Sequence, residues 1–407
     1  LWKVTNAHFA SETNYGQTEF TYDSLHRMLT VKDPRGNQFV SNVYDTSGRI
    51  IQQTQADGST FLFSYTTNSD GKITQTDLTD TRGNVRRVAF NNDGYMVTDT
   101  YAHGLPEQQT VTYERQPGTN LLLSAISPAG VRTAYTYDAV GNMTEVVRNA
   151  GTNAEAKTRY TYEPVFNQRA TVTDPLNHTL SYAYDNKGNL LSVTDPLNHT
   201  TTYAYNANGQ LMSVTDALNK TISFGYEGSD LASMTDPLGR TSTQFVDDAG
   251  RLLSETDPLG NTTRYEYDAL NRLVKSKDAL GGVTAYAYDP NDNLLSLTDA
   301  RNKVTTYTYD SMNRAITRTD PLSKTETFQH DEAGNLVRHT DRRGNATEYR
   351  YDGRNRRTFI GYGVTPSGAY QSTISYTYSG VGCNCGAFRR ARPASASVTT
   401  RSIVARS

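Results

Sequence analysis

Apolar and polar residues alternate along this chain in short runs that turn signals interrupt on a fixed beat. From Asp174 to Asp352 one block of about 21 residues recurs, its first Asp at 174, 195, 216, 236, 257, 278, 299, 320 and 341. The single short interval comes from one residue missing between Glu227 and Leu231. Each block holds two strand-like runs and two turns, with no stretch long enough for a helix, so the predicted unit is a β-hairpin. A period of this length marks an array of small units, none able to bury an apolar face alone.

In the first strand of each unit, alternate positions are aromatic: Tyr182 and Tyr184, Tyr203 and Tyr205, Phe224 and Tyr226, Tyr265 and Tyr267, Tyr286 and Tyr288, Tyr307 and Tyr309. Spacing of two puts both rings on one face, with Ala183, Ala204, Gly225 and Ala287 facing the other way. The return strand opens with an apolar pair such as Leu190-Leu191 or Leu294-Leu295 and fades into Ser and Thr. Stacked units then form two ladders of rings packed against leucines. Val246 and His330 stand where the second Tyr is expected, marking two weaker copies.

One turn reads Asp-Pro-Leu-Gly or a close variant, beginning at Asp174, Asp195, Asp236 and Asp257. Pro presets φ, Asp accepts a hydrogen bond from the backbone two residues on, and Gly or Asn tolerates left-handed geometry. The other follows the second Tyr, as in Asp185-Asn-Lys-Gly188 and Asn206-Ala-Asn-Gly209. Residues that look catalytic singly are accounted for as turn formers.

These residues carry a resemblance. Tyr-Asp, then Gly and Leu, then Asp-Pro-Leu-Gly resembles the YD repeat of the RHS (rearrangement hot spot) family, which includes bacterial polymorphic toxins, toxin-complex shell subunits, wall-associated proteins and animal teneurins. The resemblance implies an all-β fold: a continuous antiparallel β-hairpin array curling into a spiral or partial hollow shell, often around a C-terminal toxic domain. It also implies a bacterial protein that is secreted or held at the cell surface. Its partners would be an enclosed polypeptide or the remaining repeats of the same parent. The family's self-cleavage signal, Asp-Pro-x-Gly-Leu, is not matched, since Arg240 and Asn261 follow Asp-Pro-Leu-Gly here.

Composition fits a thin sheet. The hydrophobic fraction is 36%, below the roughly 45–50% of globular domains, and Tyr outnumbers Phe by 28 to 12, suiting rings whose hydroxyl reaches a polar partner. A net charge of −2 gives no footprint for nucleic acid, and no apolar run is long enough to span a bilayer. Three sections follow: irregular repeats over 1–169, regular ones over 170–380, and a Cys-x-Cys and basic, disordered tail over 381–407. Anchors from Tyr22-Asp23 and Asp33-Pro34-Arg35-Gly36 to Tyr376 and Tyr378 give about 34 strands. At about 4.8 Å each, these make a ribbon of roughly 160 Å, near one turn of a spiral and hence an open curved sheet.

Other chemistry is weighed and set aside. Paired Asp invites a glycosidase reading, but a catalytic pair would have to differ from its copies. His178 and His199 occupy equivalent positions, too few for zinc, and Cys383 with Cys385 supplies two thiols of the four a structural site needs. Asp289 to Leu294 begins like a calcium loop but lacks its Gly and Glu. No cofactor is expected. The reading is a non-enzymatic wall that encloses a polypeptide; the alternative is a surface ribbon binding cell-surface carbohydrate on open rings. Ring burial discriminates them.

Overall fold

The structure, a computed structural model, describes residues 17–378 and the short strands Trp2–Thr5 and Arg401–Val404. Cys383, Cys385 and most of the basic tail lie outside the described residues. Among the described residues there is no helix; 33 strands follow one another from Gln17 to Thr377. Trp2–Thr5 pairs antiparallel with Gln17–Tyr22, and Arg401–Val404 pairs parallel with Ser372–Thr377. The fold is a continuous antiparallel hairpin array in one sheet, as the period requires.

One repeat shows how. The strand Thr179–Tyr184 pairs with Leu190–Thr194, which pairs in turn with Thr200–Tyr205. Tyr182 lies opposite Val193 and Tyr184 opposite Leu190, with a bulge between them. The same irregularity recurs at Tyr205, Tyr267, Tyr288 and Tyr309. An extra residue on one strand increases local twist, and here it places the two-leucine opening of the return strand against a single Tyr. At the short interval Glu227 pairs directly with Asp230, so a two-residue turn replaces the usual three-residue loop.

Because strands alternate in direction, every turn after a second Tyr lies along one edge of the ribbon and every Asp-Pro turn along the other. We call these the tyrosine edge and the proline edge. Few side chains are fully enclosed: among the described residues the buried apolar ones are Val31, Ala102, Val147, Ala346 and Ile360. The low apolar content thus buys a sheet with half-buried faces, not a thick core.

Two compact units emerge from the contacts. One comprises Leu1–Tyr113, Ile126–Gly130 and Ala285–Ser407; the other comprises Glu114–Ala125 and Val131–Thr284. In the first unit, two stretches far apart in sequence meet edge to edge, the proline edge of the earlier against the tyrosine edge of the later. Arg35 donates from its backbone to Asn291 and from its guanidinium to the Asp310 carbonyl at 2.6 Å. Arg314 pairs with Asp57 at 3.2 Å, Arg82 donates to the Asp352 carbonyl at 2.7 Å, and Gly353 donates to Glu107. The second unit carries the regular repeats from Asp174 to Leu280.

Candidate functional site

The repeated features are the tyrosine ladder and its turns. Tyr182, Tyr184, Tyr203, Tyr205, Tyr226, Tyr265, Tyr267, Tyr286, Tyr288, Tyr307 and Tyr309 are all half-buried, while Ala183, Ala204 and Ala287 between them are exposed. The second Tyr of a unit has a specific task. Its hydroxyl donates to the carbonyl of the residue that opens the preceding return strand: Tyr184 to Arg169, Tyr226 to Leu211, Tyr267 to Leu252 and Tyr309 to Leu294, at 2.8–3.0 Å. Tyr65 and Tyr137 do the same in the irregular section. Each ring is therefore a strut from one hairpin to the one before it. Burial pushes the Tyr184, Tyr205 and Tyr309 phenols up from their ordinary range, which keeps the Tyr184 and Tyr309 hydroxyls protonated as donors.

The two weaker copies differ from one another. Near Val246, the Gln244 side-chain amide donates to the Leu231 carbonyl at 2.7 Å, the bond a second Tyr would have made. His330 has a buried Nδ1 with no partner.

Turn aspartates are engaged acceptors. Asp185 Oδ1 takes the N–H groups of Lys187 and Asn189, and Oδ2 takes the Asn189 amide at 2.9 Å. Gly188 closes that turn with φ of 86°, and Gly209 its counterpart with 81°, geometry that a Cβ would strain. Asp174 and Asp195 are held below the usual carboxylate range chiefly by the N–H groups of His178 and His199. Asp236 is held there chiefly by the Arg240 guanidinium, and Asp257 by the Asn261 amide. A carboxylate so occupied is a weak base, held in place by its own turn. His178 and His199 each face their own turn Asp, at 3.0 and 2.9 Å, and no group of three His, Cys, Asp or Glu among the described residues could hold a metal. Asp289 accepts the N–H groups of Asn291 and Asn293, which is a turn and not a calcium loop.

Three devices escaped the sequence reading. In many turns the side chain four residues after the Asp clamps it, as Arg272 does Asp268 and Asn335 does Asp331. Some of these arginines also stack on the next hairpin's Tyr: Arg49 over Tyr65 at 4.9 Å, Arg356 over Tyr378 at 4.3 Å. Across the proline-edge turns, threonine hydroxyls pair, Thr194 with Thr200 and Thr256 with Thr262 at 2.9 Å. The identical partner spacing in each copy was the available signal.

A laddered hairpin wall with satisfied turns defines a repeat-array protein. The RHS Repeat model matches residues 118–154, 165–200, 184–221, 205–241, 246–284, 288–325 and 330–360, more than half of the chain. The chain belongs to the RHS repeat family. No curated protein matches it. Among solved structures it is similar to TcdB2-TccC3-TEV, with TM-score 0.58 and 15% identity over 91% of this chain and 24% of that one. TcdB2-TccC3 gives TM-score 0.57 and 15% identity over 89% and 24%. A Photorhabdus luminescens Tc holotoxin pore gives 0.53 and 14% over 91% and 26%. At such identity the likeness concerns the fold, and the chain spans about a quarter of those proteins.

Proposed function

We propose that this chain is a section of a shell wall that separates an enclosed polypeptide, such as a toxic domain of its parent protein, from its surroundings. The observation that carries the reading is that the ladder rings are half-buried and that second rings such as Tyr184, Tyr226, Tyr267 and Tyr309 have their hydroxyls on backbone carbonyls of the preceding hairpin. Such rings serve cohesion; a sugar-stacking platform needs open faces. Strand after strand paired edge to edge in one sheet favours exclusion as the mechanism, and no chemical step is required. Membership of a structural repeat family and a fold shared with Tc toxin proteins support a secreted or surface-exposed bacterial parent. No helix among the described residues is long and apolar enough to cross a membrane.

The test is proteolysis of this chain expressed together with the coding sequence that follows it in its genome. The wall reading expects the following segment to resist a protease that digests the same segment expressed alone. Equal digestion rates in the two settings, with the repeats themselves intact, would end it.

A further inference from the structure

In the earlier stretch of the first unit the third residue of a proline-edge turn is the one that reaches across to the facing edge, as Arg35, Asp57 and Arg82 do, whereas Leu322 at that position in the later stretch is 79% exposed. In the second unit the same turn position is leucine in six consecutive turns. Leu176, Leu197, Leu218, Leu238, Leu259 and Leu280 are 74, 74, 75, 77, 87 and 98% exposed. The turn does not demand leucine. Arg301 and Arg343 hold the position in other copies and donate the same backbone N–H to the turn Asp. Two strands separate successive leucines, so they recur about every 9.6 Å. An apolar row of this regularity marks an interaction surface.

The tyrosine edge of the same unit offers two apolar counterparts at one end, ahead of Lys187 and Asn208 at the same position: Val140 and Val165, third residues of their turns, are 77 and 75% exposed, with Phe166 beside them. We propose that the leucine-bearing proline edge docks the tyrosine edge of a second copy of this chain. Both edges belong to one kind of ribbon, so their pitch agrees by construction. The seating continues the edge-to-edge contact already made within the first unit, with leucine on valine replacing arginine on carbonyl. Such a contact is heterologous: each copy added leaves one leucine edge free, so the assembly grows past two copies, into a ring where the rotation closes and a filament where it does not. The proposal shares only the repeat geometry with the wall reading, and the two can fail separately.

The experiment is sedimentation equilibrium of the full chain over a concentration series. The expected weight-average mass climbs past two copies. The variant L197R/L218R/L238R/L259R, whose arginines the turn accepts at 301 and 343, is expected to be monomeric with unchanged far-ultraviolet circular dichroism. The variant V140E/V165E is expected to be monomeric as well. Mixed together, the two should form a one-to-one complex that grows no further, because each retains the edge the other lacks. A wild-type monomer at every concentration overturns the proposal, as does a dimer that grows no further and survives V140E/V165E, which would mean leucine edge on leucine edge. Association undiminished by the four arginines overturns it too. Should that variant lose its β signal, L218R and L238R singly must each shift association to higher concentration, and failure to do so counts against the proposal equally.

Discussion

The hairpin of Thr241–Val246 and Leu252–Thr256 and the hairpin of Thr325–His330 and Leu336–Thr340 have both lost the tyrosine that braces their neighbours, and they meet the loss differently. In the first, Gln244 stands two residues before Val246 and sends its amide to the Leu231 carbonyl. In the second, Phe328 stacks on His339 at 5.0 Å, and His330 keeps a buried nitrogen without a partner. What the position requires is a donor aimed at one carbonyl of the previous hairpin, and tyrosine is one of several ways to provide it. Asn42 makes the point from the other side, since it and Tyr44 both donate to the Met28 carbonyl.

If that is right, Gln244→Ala should be the most damaging single change in the comparison. It removes the side-chain donor to the Leu231 carbonyl together with the amide's packing, and leaving a buried acceptor short of its partner costs about 1–3 kcal/mol. An array opens locally, so the measurement is native-state hydrogen exchange of residues 231–246, not a single global transition. Adding Val246→Tyr to that variant should restore most of the protection; no restoration would mean that Gln244 acts by packing. Next in size comes Tyr309→Phe, which removes only a hydroxyl at 3.0 Å from the Leu294 carbonyl. A loss of about 1 kcal/mol in the exchange of its own and the preceding hairpin is expected. An effect confined to its own hairpin would refute the strut.

How much of this was legible beforehand follows from which contacts lie inside one period. Gly188, the turn aspartates and the paired ring positions sit at fixed offsets within a block, and repetition displays them. The acceptor of Tyr184, the Arg169 carbonyl, belongs to the block before and faces it only once strands are in register, which the bulge at Ala183 helps to set. His178 and His199 share a register position, yet each bonds its own Asp four residues back, because that partner is already in place when the turn forms. Least legible is the meeting of Arg35 with Asp310 and of Arg82 with Asp352. Which turn comes to face which depends on a small twist per strand, summed over many strands, and a hydrophobic pattern prints no angle.

His330→Tyr tests the comparison in the favourable direction. Burial, with the nearby Arg314, pushes the His330 imidazole below its ordinary range, against the pull of Asp310 and Asp331. The unfolded chain therefore takes up protons near pH 6.5 while the folded chain does not, so stability is intact above that value and declines as pH falls below it. Exchange of residues 325–340 should accelerate between pH 7.5 and 5.5 beyond its intrinsic pH dependence. In His330→Tyr that excess should vanish, and a hydroxyl now able to reach the opening of the strand Ala315–Thr319 should add about 1 kcal/mol.

The smallest effect is also the sharpest discriminator. Val246→Tyr places the usual residue in a hairpin whose carbonyl is already served. If tyrosine mattered for its ring, the variant should gain as much as His330→Tyr does. If it matters for its donor, the new hydroxyl competes with Gln244 for one oxygen, and the change should stay within about 0.5 kcal/mol, the ordinary range for substitutions that neither make nor break a needed contact. Val246 is half-buried, as Tyr226 and Tyr267 are at the equivalent position. Exchange of residues 241–256 in the two tyrosine variants, read side by side, separates these outcomes: near-equality favours the ring, and a gain limited to position 330 favours the donor.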